Sequence, residues 1–148
     1  MVERVENAGR ILAILVRAGH SVDGIEFFTP GDFSQQLASM RRPSGHVIPP
    51  HAHNPVQREV LLTQEVLFVV SGRLRVDFYD DECAYLSSRI LTAGDVILLA
   101  SGGHGFEMLE DTQLIEVKQG PYAGDHDKTR FCGVDRDQTF IPETDETD

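Results

Sequence analysis

The chain has 148 residues, of which 41% are hydrophobic, and it carries a formal net charge of −11 at pH 7. This length and apolar content suffice for one globular domain whose core needs neither disulfides nor a structural metal. The acidic balance argues against nucleic acid and membrane surfaces as partners, because both bind proteins through basic residues.

The N-terminal residues and the cysteines give no sign of export. The apolar run at residues 11–16 is far shorter than the roughly 20 apolar residues that span a bilayer. Its acidic flank differs from the basic start of a signal peptide. Cys83 and Cys132 are isolated, without the spacing of a disulfide framework or a Cys-x-x-Cys motif. We therefore expect a cytoplasmic protein.

The first third of the chain is predicted to form short strands. Residues 11–16 follow Gly9 and are largely β-branched and apolar, which favours a buried strand over a helix. Residues 24–28 form a second predicted strand, and the sequence Thr29-Pro-Gly-Asp32 after it is a turn signal. Residues 35–41 alternate loosely and predict a third strand.

The strongest chemical signal lies in the middle of the chain. His51 and His53 are separated by one residue, so on an extended strand both imidazoles project from the same face. Pro49 and Pro50 exclude a helix at this point and favour extended backbone. Two such imidazoles with a carboxylate from a neighbouring strand would provide most of a divalent-metal site. Alone, the pair is equally compatible with two exposed residues in a proline-rich turn.

From Glu65 onward the predicted strands are clearer. Residues 65–70 and 73–79 flank Ser71-Gly72, which predicts a two-residue β-hairpin. In the second strand, apolar and polar side chains alternate, which is typical of a sheet with one buried and one solvated face. The apolar set is Leu74, Val76 and Phe78, and the polar set is Arg73, Arg75, Asp77 and Tyr79.

Four further strands are predicted, each separated from the next by a turn containing glycine or aspartate. They cover residues 85–91, 96–99, 104–109 and 113–119. No stretch of the sequence shows a sustained 3.6-residue period. Many short strands with such turns predict an all-β sandwich or barrel.

The central histidine segment resembles the first sequence motif of the cupins. Gly45, five residues, His51-x-His53, a glutamate, six residues and Gly72 follow one another in the family's order. The departure is at Glu65, which stands twelve residues after His53, whereas cupins place this glutamate four or five residues after it. Residues 54–64 are therefore an insertion relative to that pattern.

The segment from Gly94 to His104 resembles the second cupin motif. It has Ala100 where a proline is usual, and it is one residue short before its histidine. The two motifs together span residues 45–104 of the chain. Residues 22–130 also resemble a group of small single-domain cupins of unknown function.

The resemblance implies a cupin-type double-stranded β-helix, or jelly-roll barrel, over residues 22–132. Residues 1–21 would be an N-terminal strand and extension, and residues 133–148 an acidic, disordered tail. The resemblance also implies one divalent transition metal, either Fe, Mn, Ni, Zn or Cu. Its ligands would be His51, His53, Glu65 and His104.

Two glutamates are candidates for the carboxylate ligand. Glu59 and Glu65 are six residues apart, and six strand residues span roughly 20 Å, so both cannot bind one ion on a continuous strand. Glu65 lies seven residues before Gly72, as in the family motif, and we choose it. Glu59 would then pair with Arg58 or lie at the rim of the pocket.

Strand parity also predicts the walls of a pocket beside the metal. Leu67 and Val69 alternate with Glu65, and Phe106 and Met108 alternate with His104, so these four apolar side chains should line it. Such a pocket suits a small polar ligand. Lys128 and Arg130 could contact a ligand or a second subunit, but a solvated rim is favoured for both, and His126 is assigned to the surface.

The expected function is that of a metal-binding cupin acting on a small polar metabolite, such as a sugar or an organic acid. An isomerase or an oxygenase-type cupin enzyme would fit, but no catalytic base distinct from the ligands can be singled out, so catalysis is left open. Two alternatives remain: a non-catalytic metal- or metabolite-binding module, and a metal-independent cupin similar to sugar-nucleotide isomerases. A homodimer is expected by analogy with cupins.

Overall fold

A computed structural model describes residues 1–143, which form an all-β fold of antiparallel strands with two short 3-10 helices. The all-β prediction is confirmed. The strands are β1 Val2–Asn7, β2 Arg10–Val16, β3 Gly24–Phe27, β4 Ala38–Arg41, β5 Glu65–Ser71, β6 Arg73–Tyr79, β7 Tyr85–Thr92, β8 Val96–Leu99, β9 Gly103–Met108 and β10 Gln113–Lys118. The 3-10 helices are Gly124–Asp127 and Arg136–Gln138. Neither helix of the described region has the length needed to cross a membrane.

The strands form two sheets and a separate hairpin. The large sheet has the order β1-β2-β8-β5-β10, the small sheet has the order β7-β6-β9, and β3 pairs with β4 alone. The main core lies between the two sheets, where apolar residues of β5 and β8 meet those of β6 and β7. The strand predicted at residues 11–16 is confirmed as part of β2, which pairs with β8.

The region between β2 and β4 covers part of the outer face of the large sheet. Phe28 is buried against Ile14 of β2 and Leu98 of β8. Arg4 of β1 donates a hydrogen bond to the Phe28 carbonyl oxygen at 3.1 Å. The β3–β4 hairpin is therefore held beside the large sheet rather than within either sheet.

The connection at Ser71-Gly72 is not the β-hairpin that the sequence predicts. β5 pairs with β8 and β10, whereas β6 pairs with β7 and β9, so the chain crosses from the large sheet to the small one at Gly72. Gly72 has φ of 86°, and a Cβ on it would lie 2.3 Å from the Asp111 carbonyl oxygen. The Ser-Gly signal predicts a sharp bend, but a local signal does not determine whether the flanking strands pair.

The prediction of a solvated polar face on β6 is also wrong. Arg73 is exposed, but Arg75, Asp77 and Tyr79 are buried. Arg75 Nε donates to Asp77 Oδ1 at 2.7 Å, and the Arg75 guanidinium also pairs with Glu107 of β9 at 2.6 Å. Alternation identified the two faces of β6, but it does not reveal which segment covers the polar one.

The segment that covers this face comes from the region predicted to be a disordered tail. The Val134 amide donates to the Tyr79 hydroxyl at 3.0 Å, and the Ser88 amide donates to the Phe140 carbonyl at 2.7 Å. Arg136 pairs with Glu107. The structure thus places residues 133–143 against the small sheet, whereas residues 144–148 lie outside the described part of the chain.

Between β4 and β5, residues 42–64, termed the β4–β5 segment, form no strand. Every residue from 42 to 62 is exposed. Within this stretch the His46 amide donates a hydrogen bond to the Pro43 carbonyl oxygen at 3.2 Å, which closes a turn. The segment rejoins the fold at Gln64, which is buried and whose carbonyl accepts from the Gln119 amide at 2.9 Å.

Candidate functional site

Glu65 and His104 lie together, although 39 residues separate them in sequence. Glu65 is the first residue of β5 in the large sheet, and His104 is on β9 in the small sheet. His104 Nε2 is 3.2 Å from Glu65 Oε2. The two sheets therefore bring together one predicted ligand from each of the two sequence motifs.

Lys118 and Asp127 extend this pair into a chain of charges. Lys118 is the register partner of Glu65 on β10, and its Nζ is 3.0 Å from Glu65 Oε1. The same Nζ is 3.1 Å from Asp127 Oδ2. The Thr63 hydroxyl in turn donates to Asp127 Oδ1 at 2.5 Å. Together with His104, five side chains from separate elements thus fix one another.

These contacts determine the charges of the cluster. The hydrogen bond from His104 lowers the pKa of Glu65 to about 2, against an opposing effect of burial and with further help from Lys118. Hydrogen bonds to Glu65 and Asp127 raise the pKa of Lys118 to about 12. The Thr63 hydroxyl, followed by Lys118, lowers the pKa of Asp127. At neutral pH both carboxylates are ionised and the Lys118 amine is charged.

A cleft of about 860 Å³ opens beside this cluster. Phe106 of β9, Tyr79 of β6 and Phe131 provide its aromatic walls. Lys128 and Arg130 line it from the segment after β10, where both are exposed. The volume and the mixed lining are those of a site for a small polar molecule.

His51 and His53 do not reach this cleft. Both are exposed on the β4–β5 segment, where their rings lie edge to face with centroids 5.3 Å apart. His51 Nδ1 is 3.0 Å from the Pro49 carbonyl oxygen. Within residues 1–143, no group of three or more His, Cys, Asp or Glu side chains is arranged to hold a metal ion. The arrangement of the four predicted ligands, divided into two pairs, does not fit a metal centre.

The four predicted wall residues are also divided. Phe106 lines the cleft, but Leu67 and Val69 are buried in the core between the sheets. Met108 is exposed and is not part of the cleft lining. Strand parity placed Leu67 and Val69 on the inward face, but at that depth the apolar core already fills the interior.

Sequence reasoning missed three residues of the cluster: Thr63, Lys118 and Asp127. Of these three, only Lys118 has a signal in the sequence, because Glu116 and Lys118 interrupt the apolar pattern of β10. The contact itself depends on the register of β10 against β5, which a single sequence does not supply. His126, assigned to the surface, is exposed and also lines the cleft.

Comparisons of the chain with protein-family models, with curated proteins and with solved structures found no match. The functional argument therefore depends on the chain's own residues and their arrangement.

Proposed function

We propose that this protein is a cupin-type double-stranded β-helix whose cleft at Glu65 and His104 binds a small polar metabolite and acts on it. In this proposal a divalent transition metal is held only when His51 and His53 move to the pair, because in the described structure the four side chains do not form a metal centre. The observation that carries the proposal is the 3.2 Å contact between Glu65 and His104 inside one cleft. Two motifs that resemble the cupin pattern supply these two residues separately.

The chemistry of the pair supports a role in catalysis. In a neutral imidazole one nitrogen donates and the other accepts, so donation from His104 Nε2 to Glu65 leaves Nδ1 with its lone pair. Glu65 thereby fixes the orientation and tautomer of His104, as a carboxylate does for a catalytic histidine. Lys118 supplies a fixed positive charge at the same carboxylate.

A metal-independent acid–base site, similar to that of the sugar-nucleotide isomerases among the cupins, is the second candidate. The specific observation in its favour is that Glu65 already has two hydrogen-bonding partners, His104 and Lys118. His51 and His53 meanwhile lie outside the cleft. In this candidate His104 serves as the base and Glu65 as the group that positions it.

Metal analysis and a ligand screen distinguish the two candidates. Protein purified without chelator is analysed for bound metal, and thermal shift is measured against a panel of sugars, sugar phosphates and small organic acids. The first candidate predicts a bound metal and ligand binding that chelator abolishes. The second predicts ligand binding that chelator leaves intact.

A matched pair of variants tests whether the cleft is the site. His104→Gln should abolish the ligand-induced shift, because it removes the imidazole beside Glu65. His46→Gln, the same change at an exposed position of the β4–β5 segment, should preserve it. Equal shifts in the two variants, or the lack of any bound metal and any ligand response in the wild-type protein, would contradict the proposal.

A further inference from the structure

Both lysines of the chain lie at the cleft beside Glu65 and His104. The sequence has 13 basic residues, of which only Lys118 and Lys128 are lysines and the others are arginines. Both lysines line the cleft, and Arg130 lines it with them. A chain with a net charge of −11 thus gathers three of its few cations around one cleft.

The lining of this cleft carries no net formal charge, in contrast to the rest of the chain. It contains three carboxylates and three cations, which are Glu65, Glu116, Asp127, Lys118, Lys128 and Arg130. The net charge of −11 therefore comes from residues outside the cleft. Because an acidic surface repels anions, an anionic ligand meets less repulsion in the cleft than over the remaining surface.

Lys118 is occupied by the protein itself, whereas Lys128 and Arg130 are available to a ligand. Lys118 Nζ lies 3.0 Å from Glu65 Oε1 and 3.1 Å from Asp127 Oδ2. Within residues 1–143, Lys128 and Arg130 form no ion pair and no side-chain hydrogen bond, and both are exposed. Binding an anion would therefore cost these two side chains no contact with the protein.

The short stretch that carries these two cations is held at both ends. At one end the Thr63 hydroxyl donates to Asp127 Oδ1 at 2.5 Å. At the other end the ring of Phe131 packs edge to face on Tyr79, with centroids 5.0 Å apart. Gly103 makes room for this ring, since a Cβ on it would lie 2.9 Å from Phe131. The stretch between the two anchors is therefore positioned at the cleft before any ligand binds.

Lys128 and Arg130 are separated by one residue, and the backbone at Lys128 is extended, with φ of −148° and ψ of 150°. Side chains two residues apart on extended backbone project to the same side, and both of these line the cleft. A guanidinium binds phosphate or carboxylate oxygens through two parallel hydrogen bonds, and an ammonium adds a compact positive charge. The pair therefore suits an anionic group better than a neutral hydroxyl.

We infer that the ligand of the cleft is an anionic metabolite whose phosphate or carboxylate group binds to Lys128 and Arg130. The rest of the ligand then lies within the same cleft as Glu65 and His104, which act on it. This inference rests on the proposed function in taking the cleft as the ligand site, and it requires no metal.

Ligands that differ in one charged group test the inference. Inorganic phosphate, glucose, the phosphate monoester of glucose and gluconate are each titrated into the isotope-labelled full chain, and amide chemical shifts give the dissociation constants. The phosphate ester and gluconate distinguish a phosphate from a carboxylate as the bound group. At least one of them should bind about tenfold more tightly than glucose. Its affinity should fall as the salt concentration rises, because both cations are exposed.

A matched pair of double variants identifies the cations that bind the anion. Lys128→Gln with Arg130→Gln should weaken the affinity for the anion about tenfold or more, because both charged donors are lost. Arg41→Gln with Arg42→Gln removes the same charge from exposed positions outside the cleft and should leave the affinity unchanged. Equal weakening in the two double variants would show that only the net charge matters, and it would overturn the inference.

The outcomes separate this inference from the proposed function. If glucose binds as tightly as the anions and His104→Gln abolishes its binding, the ligand is neutral, and the inference is wrong while the proposed function stands. If the glucose phosphate ester or gluconate binds through Lys128 and Arg130 but His104→Gln leaves its affinity unchanged, the anion-binding pair is confirmed and the proposed role of His104 fails. If none of the anions binds, the inference is overturned.

Discussion

Glu65 is the residue through which the cleft residues are connected. It contacts His104 of the small sheet and Lys118 of the large sheet, and Lys118 contacts Asp127 in turn. A neutral replacement at this position would therefore change both the proposed metal site and the charge balance of the cleft.

At this residue scale, Glu65→Gln should weaken the affinity for divalent metal about ten- to a hundredfold, because a charged ligand becomes a neutral one. Glu59→Gln is the matched control, since Glu59 is exposed on the β4–β5 segment and makes no ion pair in the described structure. Titration of both variants with Zn(II) and Mn(II) by calorimetry measures the difference. If Glu59→Gln binds metal more weakly than Glu65→Gln does, then Glu59 is the carboxylate ligand and the choice of Glu65 is wrong.

The pKa of Glu65 also predicts how the stability of the metal-free protein depends on pH. Folding lowers this pKa from 4.5 to about 2, so between these pH values the unfolded state binds more protons than the folded state. The stabilisation from Glu65 is therefore fully present above about pH 4.5 and is lost as the pH falls toward 2. Denaturant unfolding of the wild-type protein and Glu65→Gln should show a stability difference that shrinks over this range. A stability difference that stays constant from pH 6 to pH 3 would show that folding does not lower the pKa of Glu65.

At the scale of elements, the fold depends on the corners where the chain passes between sheets. Gly72 makes the corner between β5 and β6, with its Cα facing the Asp111 carbonyl and Thr112 of the β9–β10 turn. The Arg73 amide donates to the Thr112 hydroxyl at 3.2 Å, which holds the two connections together. A side chain at Gly72 would have to push these connections apart.

Gly72→Ala should lower the free energy of unfolding by about 3 kcal/mol, since it adds a steric clash to a strained positive φ. Gly9→Ala is the control, because Gly9 also has a positive φ of 76° but has open space where its Cβ would lie. Gly9→Ala should lower the free energy of unfolding by about 1 kcal/mol. Chemical denaturation of both variants gives the comparison, and equal losses of stability would show that the close approach at Asp111 contributes nothing.

The strands themselves could be predicted from the sequence because their signals are local. Val96–Leu99 is observed as β8 with the predicted bounds, and the strand predicted at residues 73–79 is observed as β6 with the same bounds. Pairing could not be predicted, because it is set by contacts between residues far apart in sequence. The Ser71-Gly72 bend illustrates this, since a hairpin and a crossover between sheets have the same local signal.

The same distinction applies to the candidate site. Glu65 and His104 were predicted together from the order of two motifs, and the structure brings them to 3.2 Å. Lys118 could not be found, because its contact depends on the register of β10 against β5. The position of His51 and His53 could not be found either, because the β4–β5 segment has no pairing partner within the described chain.

At the scale of the whole molecule, the C-terminal segment converts an exposed polar face into a buried one. Arg75 and Asp77 form a buried ion pair, and Ser88 of β7 donates to Asp77 at 2.5 Å. Glu107 pairs with both Arg75 and Arg136 and so links this network to the covering segment. The small sheet is therefore completed from outside by residues that follow the last strand.

A chain that ends after Gly133 should be less stable than one that ends after Glu143, by about 2 kcal/mol. The shorter chain loses the hydrogen bonds of Val134 to Tyr79 and of Phe140 to Ser88 and Tyr85. Each contributes about 1 kcal/mol, and the conformational entropy that the segment loses on ordering offsets part of their sum. It also uncovers the Arg75–Asp77 pair, which water would then solvate. Phe131 is present in both chains, so its contact with Tyr79 beside the cleft is retained and the comparison isolates the covering segment. Thermal unfolding of the two truncated chains measures the difference, and hydrogen exchange at β7 shows whether it arises at the Ser88 amide. If the two chains unfold at the same temperature and the Ser88 amide exchanges equally slowly in both, the segment lies on the small sheet without stabilising it.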